Sequence, residues 1–405
     1  MKSVVSIRQQ GDKFLVYFME QRIMIYMNEQ GAEVIDKFLN KGITVSDIAK
    51  EMNVPYTQAV KDVREFLSDV YRRLSTTNIN EAEQDMLDTP IGAEIEITTA
   101  CNLRCKHCFQ GEYPEKYMEY QQFKSIVDIL ETNNVYEIHL VGGEVFKHKD
   151  IVRMLYYLNS KNFAVTIVTN AVAIDEKMLA VLKSMERLYV LVSLDGTKEL
   201  HDLIRGKGQY DKIVPKIVKM KNQGIKVEIL CTINALNVDY VEEIANLSIQ
   251  LGVPVNFNLF KPFNARQEYL TVDPKKFFDA VERLLYIRRS KKLRIGVSDA
   301  SIASYMLGLP PKNECTATMA GLVITTSGKM LTCPYLLEAG YYTENDLPEF
   351  NSNFIEEWKK GKVFSEFRNN GQMGCQARSL IFSGDVTKGD PYDLNSYIAY
   401  KEGRA

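Results

Sequence analysis

From residue 93 to about 262, short apolar runs alternate with helical stretches, and this alternation constrains the fold more than any other feature of the chain. The strand-like runs are Ile95–Thr99, Glu137–Val141, Ala164–Thr169, Leu188–Ser193, Val227–Thr232 and Val255–Leu259. Strand–helix repetition gives a parallel sheet, because parallel neighbours need a long crossover between them. Six such units fit either a doubly wound sheet or an incomplete (β/α) barrel. In both, ligand-binding residues lie at the carboxyl ends of the strands. The chemically unusual residues of this chain sit at those ends.

The flanks differ in character. Residues 1–76 form a small unit with three β-like runs, Val4–Ile7, Phe14–Phe18 and Arg22–Met27. Three helical patterns follow. The first carries Ala32, Ile35, Phe38 and Leu39. Thr44-Val45-Ser46-Asp47 is a capping-box pattern opening the second. Pro55 starts the third, with Ala59, Val60, Val63, Phe66, Leu67, Val70 and Tyr71 on one face. Strands followed by helix–turn–helix suggest a winged helix. Residues 77–92 read as a linker and 93–300 as the strand–helix domain. Residues 301–405 are punctuated by Gly, Pro, Tyr and Cys, a loop-rich region that needs a staple or a metal.

Charge narrows the partners. The whole chain has a formal net charge of −2, too weak a field to argue for nucleic acid or an acidic membrane. Residues 1–76 hold 11 Lys+Arg and 10 Asp+Glu, a balance that opposes a phosphate-binding surface and hence DNA. The opening residues are polar, no run is long enough to span a bilayer, and the default compartment is the cytoplasm.

Seven cysteines stand at 101, 105, 108, 231, 315, 333 and 375. An odd count with three in one cluster is unlike a secreted disulfide framework. Cys101, Cys105 and Cys108, spaced C-x3-C-x2-C just past the first strand, can curl round one compact metal centre. Thiolates are the ligands that iron–sulfur clusters prefer. Three ligands on a four-iron cube leave one iron open. The alternative is a structural zinc with His107 as fourth ligand, although zinc motifs usually pair C-x2-C with a distant second pair. Cys231, inside the fifth strand, reads as a buried core residue, and His139, His148 and His201 as structural.

The triplet resembles the radical S-adenosylmethionine (radical SAM) superfamily, whose hallmark is C-x3-C-x-Φ-C, with His107 here at the usually aromatic position. The resemblance extends over about 170 residues. It implies a partial (β/α)6 TIM-like barrel, a [4Fe-4S] cluster on the three cysteines, and S-adenosylmethionine contacts from His107, Gly142, Gly143, Glu144, Thr169, Asn170, Ser193, Asp195, Arg205, Thr232 and Asn234. Gly142-Gly143-Glu144 would meet the amino group of the methionine moiety: glycines permit close backbone approach and a carboxylate answers an ammonium. Arg205 would meet its carboxylate, with Ser193 beside it, and Thr232 and Asn234 would lie near the adenosine. The implied chemistry is one-electron cleavage to methionine and a 5′-deoxyadenosyl radical, which takes hydrogen from a substrate. A flavodoxin- or ferredoxin-type reductant would supply the electron.

Cys315, Gly328 and Cys333, followed by Cys375, resemble the C-terminal SPASM or twitch extension, which carries auxiliary iron–sulfur clusters. Gly371 replaces a cysteine of the fuller pattern, no cysteine follows Cys375, and Asp390-Pro391-Tyr392-Asp393 ends in Asp. This implies one auxiliary cluster on Cys315, Cys333 and Cys375, with a fourth ligand that is not cysteine. Residues 1–76 resemble a leader-peptide recognition domain of enzymes that modify ribosomally made peptides. In that resemblance a leader adds as a strand beside Arg22, Ile23, Met24, Ile25 and Tyr26 and packs on the third helix. The expected activity is a crosslink in a precursor peptide of leader plus core, a sulfur-to-carbon thioether ahead of a carbon–carbon bond or other oxidation. A protein-modifying oxidase of the sulfatase-maturase type and a non-enzymatic redox sensor are the alternatives.

Overall fold

A computed structural model describes residues 4–76, 87–109, 114–263, 265–291, 294–297, 302, 315–370 and 374–403. The expected linker lies largely outside these residues, as does Gly371. Among the described residues twelve strands form two sheets. Strands β1 (Val5–Gln10), β2 (Lys13–Phe18) and β3 (Ile23–Met27) make an antiparallel sheet in the order β1-β2-β3. Helices α1 (Glu29–Leu39), α2 (Val45–Glu51) and α3 (Tyr56–Thr76) follow, as the periodicity predicts. Thr44 and Asp47 close the reciprocal capping box at the start of α2.

The larger sheet contains all six expected strands: β4 (Gly92–Thr98), β5 (Glu137–Gly142), β6 (Ala164–Thr169), β7 (Leu188–Ser193), β8 (Lys226–Ile233) and β9 (Val255–Leu259). It has nine strands rather than six. Strand β10 (Ile295–Val297) pairs in parallel with β9, and β11 (Gly321–Ile324) pairs in parallel with β4. A short antiparallel strand, β12 (Met330–Leu331), completes the order β10-β9-β8-β7-β6-β5-β4-β11-β12. The C-terminal region therefore covers the edge that β4 would otherwise leave open, which the sequence boundary at 300 does not express. The crossover helices are α4 (Tyr120–Thr132), α5 (Ile151–Asn159), α6 (Glu176–Ser184), α7 (Lys198–Arg205), α8 (Gln209–Asn222), α9 (Val241–Leu251) and α10 (Pro274–Ser290).

Period-two alternation gives the sheet two unlike faces. Ala93, Ile95 and Ile97 of β4 are buried in the main core with Phe123, Ile126 and Val127 of α4. The opposite face carries Glu94, His139, Thr166 and Tyr189 at successive registers across four strands.

The N-terminal sheet docks on the amino ends of these strands. Leu15, Tyr17, Met19 and Met24 join the main core, whereas Val16, Phe18, Ile25 and Met27 pack on α1 and α3. The Arg22 guanidinium donates to Thr166 Oγ1 and, at 2.8 Å, to the Val165 carbonyl, and lies over the Tyr189 ring. The Tyr17 hydroxyl donates to Glu137. Buried Arg8 donates to the carbonyls of Thr89, Pro90 and Asn134. Leu87 and Ile91, at the end of the expected linker, are buried and donate their N–H groups to the Met319 and Ala320 carbonyls.

Residues 315–403 are more helical than their loop-rich composition suggests, with helices at Pro334–Glu338, Phe354–Lys360, Lys362–Asn369, Gln376–Ser383 and Leu394–Lys401. Trp358 is fully buried and its indole N–H donates to the Gly321 carbonyl at 3.0 Å, which fastens the region to β11. Among the described residues no helix is long and apolar enough to cross a membrane.

Candidate functional site

Strand β4 ends in a register shift between Glu96 and Thr98, and the chain turns there into the loop carrying Cys101, Cys105 and Cys108. The three thiols influence one another electrostatically and none is in a disulfide. Burial pushes the Cys101 thiol up and the Cys105 thiol up to about 11. Among the described residues no three of His, Cys, Asp and Glu are grouped closely enough for one metal ion. A cube of four irons is larger and holds its ligands farther apart than one ion does.

Gly142 and Gly143 sit under this loop. A Cβ on Gly142 would lie 2.3 Å from the Thr98 carbonyl oxygen, and one on Gly143 only 2.4 Å from that of Ala100. The Gly143 N–H donates to Thr98 and the Glu144 N–H to Ala100, both at 2.8 Å. The glycines permit a close approach of the chain itself: they seat the cysteine loop on β5.

Glu144 is almost wholly buried. Its carboxylate accepts from Thr169 Oγ1 and the Asn170 N–H, both at 2.7 Å, and from the Phe146 N–H at 3.2 Å. Burial raises its pKa, and these three donors oppose the rise. Glu144 thus ties the end of β5 to the end of β6. Asn170 then reaches back to the loop, its amide donating to Asn102 Oδ1 at 2.8 Å and standing 3.9 Å from the Cys101 sulfur.

The opposite wall is an ion pair. Asp195, fully buried after β7, holds Arg205 at the end of α7 and accepts from the Thr232 N–H at 2.8 Å. Burial raises the Asp195 pKa, but Arg205 and His107 outweigh it and the carboxyl is held below its ordinary value. Arg205 also stands 3.9 Å from the Cys105 sulfur and 3.3 Å from His107 Nε2. The guanidinium expected to meet a carboxylate already meets one. Ser193 is buried at the end of β7, while Asn234 shapes the turn after β8 by accepting from the Leu236 N–H. Thr232 takes part through its N–H.

His107 is pushed down to about 4 by burial and by Arg205, with Asp195 opposing, so it is neutral near pH 7. Its Nδ1 is buried with no hydrogen-bond partner among the described residues. This orphaned atom, three undisulfided thiols and an amide at the first sulfur fit an iron–sulfur cluster with a ligand beside it.

The sequence does not point to several residues that hold this loop or the turn after β6 beside it. Gln267 donates to the Cys108 carbonyl at 3.0 Å. Lys216 donates to the carbonyls of Ala171 (which has φ +59°) and Val172. Phe109, directly after Cys108, contacts Phe263 and Tyr335 with ring centroids 6.0 and 5.3 Å away. Cys231 is fully buried with Asn237 Nδ2 at 3.8 Å, as a core residue should be. His148 and His201 accept from backbone N–H groups of Asp150 and Asp195, and His139 pairs with Glu137, all structural roles.

The second set of cysteines comes from separate segments. Cys333 stands directly before the helix Pro334–Glu338 and Cys375 directly before Gln376–Ser383, neither side chain making a capping bond. Burial, then Cys375 and Cys315, push the Cys333 thiol up to about 12. The Cys375 N–H donates to Asp390, which makes a buried ion pair with Arg378 at 2.6 Å. Asp393 instead caps the last helix through the Ser396 N–H.

Residues 95–248 match the Radical SAM superfamily. The chain is 28% identical to the mycofactocin maturase MftC of Mycolicibacterium smegmatis over 299 residues, 72% of this chain and 76% of that protein. It is 27% identical over 226 residues to the antilisterial bacteriocin subtilosin biosynthesis protein AlbA of Bacillus subtilis, 52% of this chain and 50% of that one. In fold it resembles Streptococcus suis SuiB bound to S-adenosylmethionine, with a TM-score of 0.71, 16% identity and coverage of 95% and 97%. SuiB bound to its precursor peptide SuiA gives a TM-score of 0.70 at 15% identity, covering 96% and 99%. The cysteine loop after β4, the strand ends that hold it and the matched span agree: residues 95–248 carry the match to the Radical SAM superfamily, whose members use a [4Fe-4S] cluster and S-adenosylmethionine.

Proposed function

We propose that this enzyme is a peptide maturase that installs a sulfur-to-carbon thioether in a ribosomally made precursor. Bound at Cys101, Cys105 and Cys108, the cluster would cleave S-adenosylmethionine and supply the 5′-deoxyadenosyl radical. Glu144 and Asn170 hold the loop from one side, and the Asp195–Arg205 pair with His107 walls the other, where solvent is excluded. The net change joins a substrate sulfur to a substrate carbon. One hydrogen leaves to deoxyadenosine, one leaves as a proton, and one electron passes to an iron–sulfur or flavodoxin-type acceptor. A flavodoxin- or ferredoxin-type protein supplies the initiating electron.

The observation that carries the reading is the second set of cysteines, none of them in a disulfide. Cys375 and Cys315 both lie close enough to push the Cys333 thiol up, and Tyr335, next but one to Cys333, touches Phe109 beside the first set. We assign to them one auxiliary cluster whose open position takes a substrate thiolate. The names of MftC and AlbA, both biosynthetic proteins, favour a peptide product.

Residues 1–76 would hold the leader. Strand β3 is an edge of its sheet, the place where an extended leader adds as a further strand beside Ile23–Met27. The Arg22 side chain is committed to the barrel and takes no part. An apolar groove of about 480 Å³ lined by Val45, Val60, Val63, Leu67 and Tyr71 supplies side-chain pockets on α3.

The test is anaerobic turnover with the peptide encoded beside the gene, read by mass spectrometry. A product short of two hydrogens, with its cysteines closed to alkylation, is expected. A crosslinked product whose cysteines still alkylate would replace the thioether with a carbon–carbon bond. Iron and sulfide counts on reconstituted Cys315→Ala protein check the auxiliary ligands, and an unchanged count would remove them.

A further inference from the structure

Lys261 follows β9 and is half-buried. Its ammonium lies 4.4 Å from the centre of the Tyr335 ring, within cation–π range. Tyr335 stacks on Phe263 with ring centroids 5.4 Å apart and belongs to the helix that Cys333 opens. Among the described residues no carboxylate comes within ion-pair distance of this ammonium. Its electrostatic neighbours are Tyr335, Cys375 and Cys333, which favour the charge, and Arg378, which opposes it.

The second cation of the neighbourhood is already neutralised, since Arg378 shares Asp390. Three thiolates and a cluster would place net negative charge here, in surroundings of low polarity where a fixed charge acts strongly. We propose that Lys261 is the counter-charge that sets the reduction potential of the auxiliary cluster. The inference rests on the assignment of Cys315, Cys333 and Cys375 as its ligands. Lys261 is a positioning residue, acting on the cluster through space. Reduction adds one negative charge, and the ammonium stabilises the reduced form more than the oxidised one. The cluster therefore accepts an electron more readily with Lys261 than without it.

The experiment uses the full chain with Cys101, Cys105 and Cys108 all changed to Ala, reconstituted anaerobically, so that only the auxiliary cluster remains. Potentiometric titration followed by electron paramagnetic resonance reads its potential. Adding Lys261→Met should move that potential to a more negative value at unchanged iron content, and Lys261→Arg should hold it near the parent. Loss of iron in Lys261→Met with retention in Lys261→Arg would also support a charge requirement. An unchanged potential in Lys261→Met overturns the proposal, as does loss of iron in both variants, which would mark packing as the role. If the parent binds no iron, or keeps its iron after Cys333→Ala, the ligand assignment itself fails and the proposal falls with it.

Discussion

The two sets of cysteines are built on the same device but assembled differently. Each has a buried Arg–Asp pair against it: Arg205–Asp195 at Cys105, and Arg378–Asp390 at Cys375. The first set lies on one loop, at positions 101–108, fixed by the ends of neighbouring strands. The second gathers residues 315, 333 and 375, two of them at helix starts. The first is shielded by a neutral His107, the second by the charged Lys261. A site made by local chain needs its support from below, whereas a site made by distant segments depends on how those segments are pinned to each other.

The largest effect should come from the first set. Changing Cys101 to Ala is expected to abolish deoxyadenosine formation. Cys333→Ala should leave deoxyadenosine formation intact while crosslinked peptide is lost. Mass spectrometry of both products checks the division of labour, and equal loss of deoxyadenosine in the two variants would break the comparison.

The pins come next. Arg378→Ala leaves Asp390 buried without its partner, at a cost of roughly 3–5 kcal/mol. Chemical denaturation of the variant should show this, with the second set disordered first. Gly143→Ala drives a methyl into the Ala100 and Thr99 carbonyls and should cost about 1–3 kcal/mol. It should also lower iron uptake at the first set alone; normal iron content would mean that the loop can shift without loss.

The smallest effect is a pH dependence in the support of the first set. Burial lowers His201 from 6.5 to about 4 in the folded chain, with Arg205 adding to it. The unfolded chain therefore gains a proton that the folded chain refuses, and stability falls as pH drops from about 6.5 towards 4. The slope is at most about 1.4 kcal/mol per pH unit. His201→Gln should flatten that part of the stability–pH curve, measured by denaturant midpoints. An unaltered slope would show that other groups dominate acid unfolding.

Much of this site is legible in sequence because it is local. A C-x3-C-x2-C loop after a strand is closed by a few bonds, so its spacing alone carries the geometry. The roles around it are less legible. Gly142 and Gly143 read as room for a ligand, and the structure adds that they also leave room for the Thr98 and Ala100 carbonyls. Glu144 reads as an answer to an ammonium, yet its oxygens accept from Thr169 and the backbone of Asn170 and Phe146. Gln267 and Lys261 carry no motif, because each works from a segment far from the residues it serves.

By itself, then, the sequence determined the parallel strand–helix order, the capping of α2 and the grouping of three cysteines on one loop after β4. Each of these depends on periodicity or spacing within a few residues. Only the tertiary structure decided that β11 joins β4, that Arg22 faces the barrel, that Arg205 is already paired, and that Lys261 sits at the second set. Those facts arise from contacts between distant segments. Such contacts are set by which buried charges and apolar faces close on each other once the sheet exists, and local pattern does not record them.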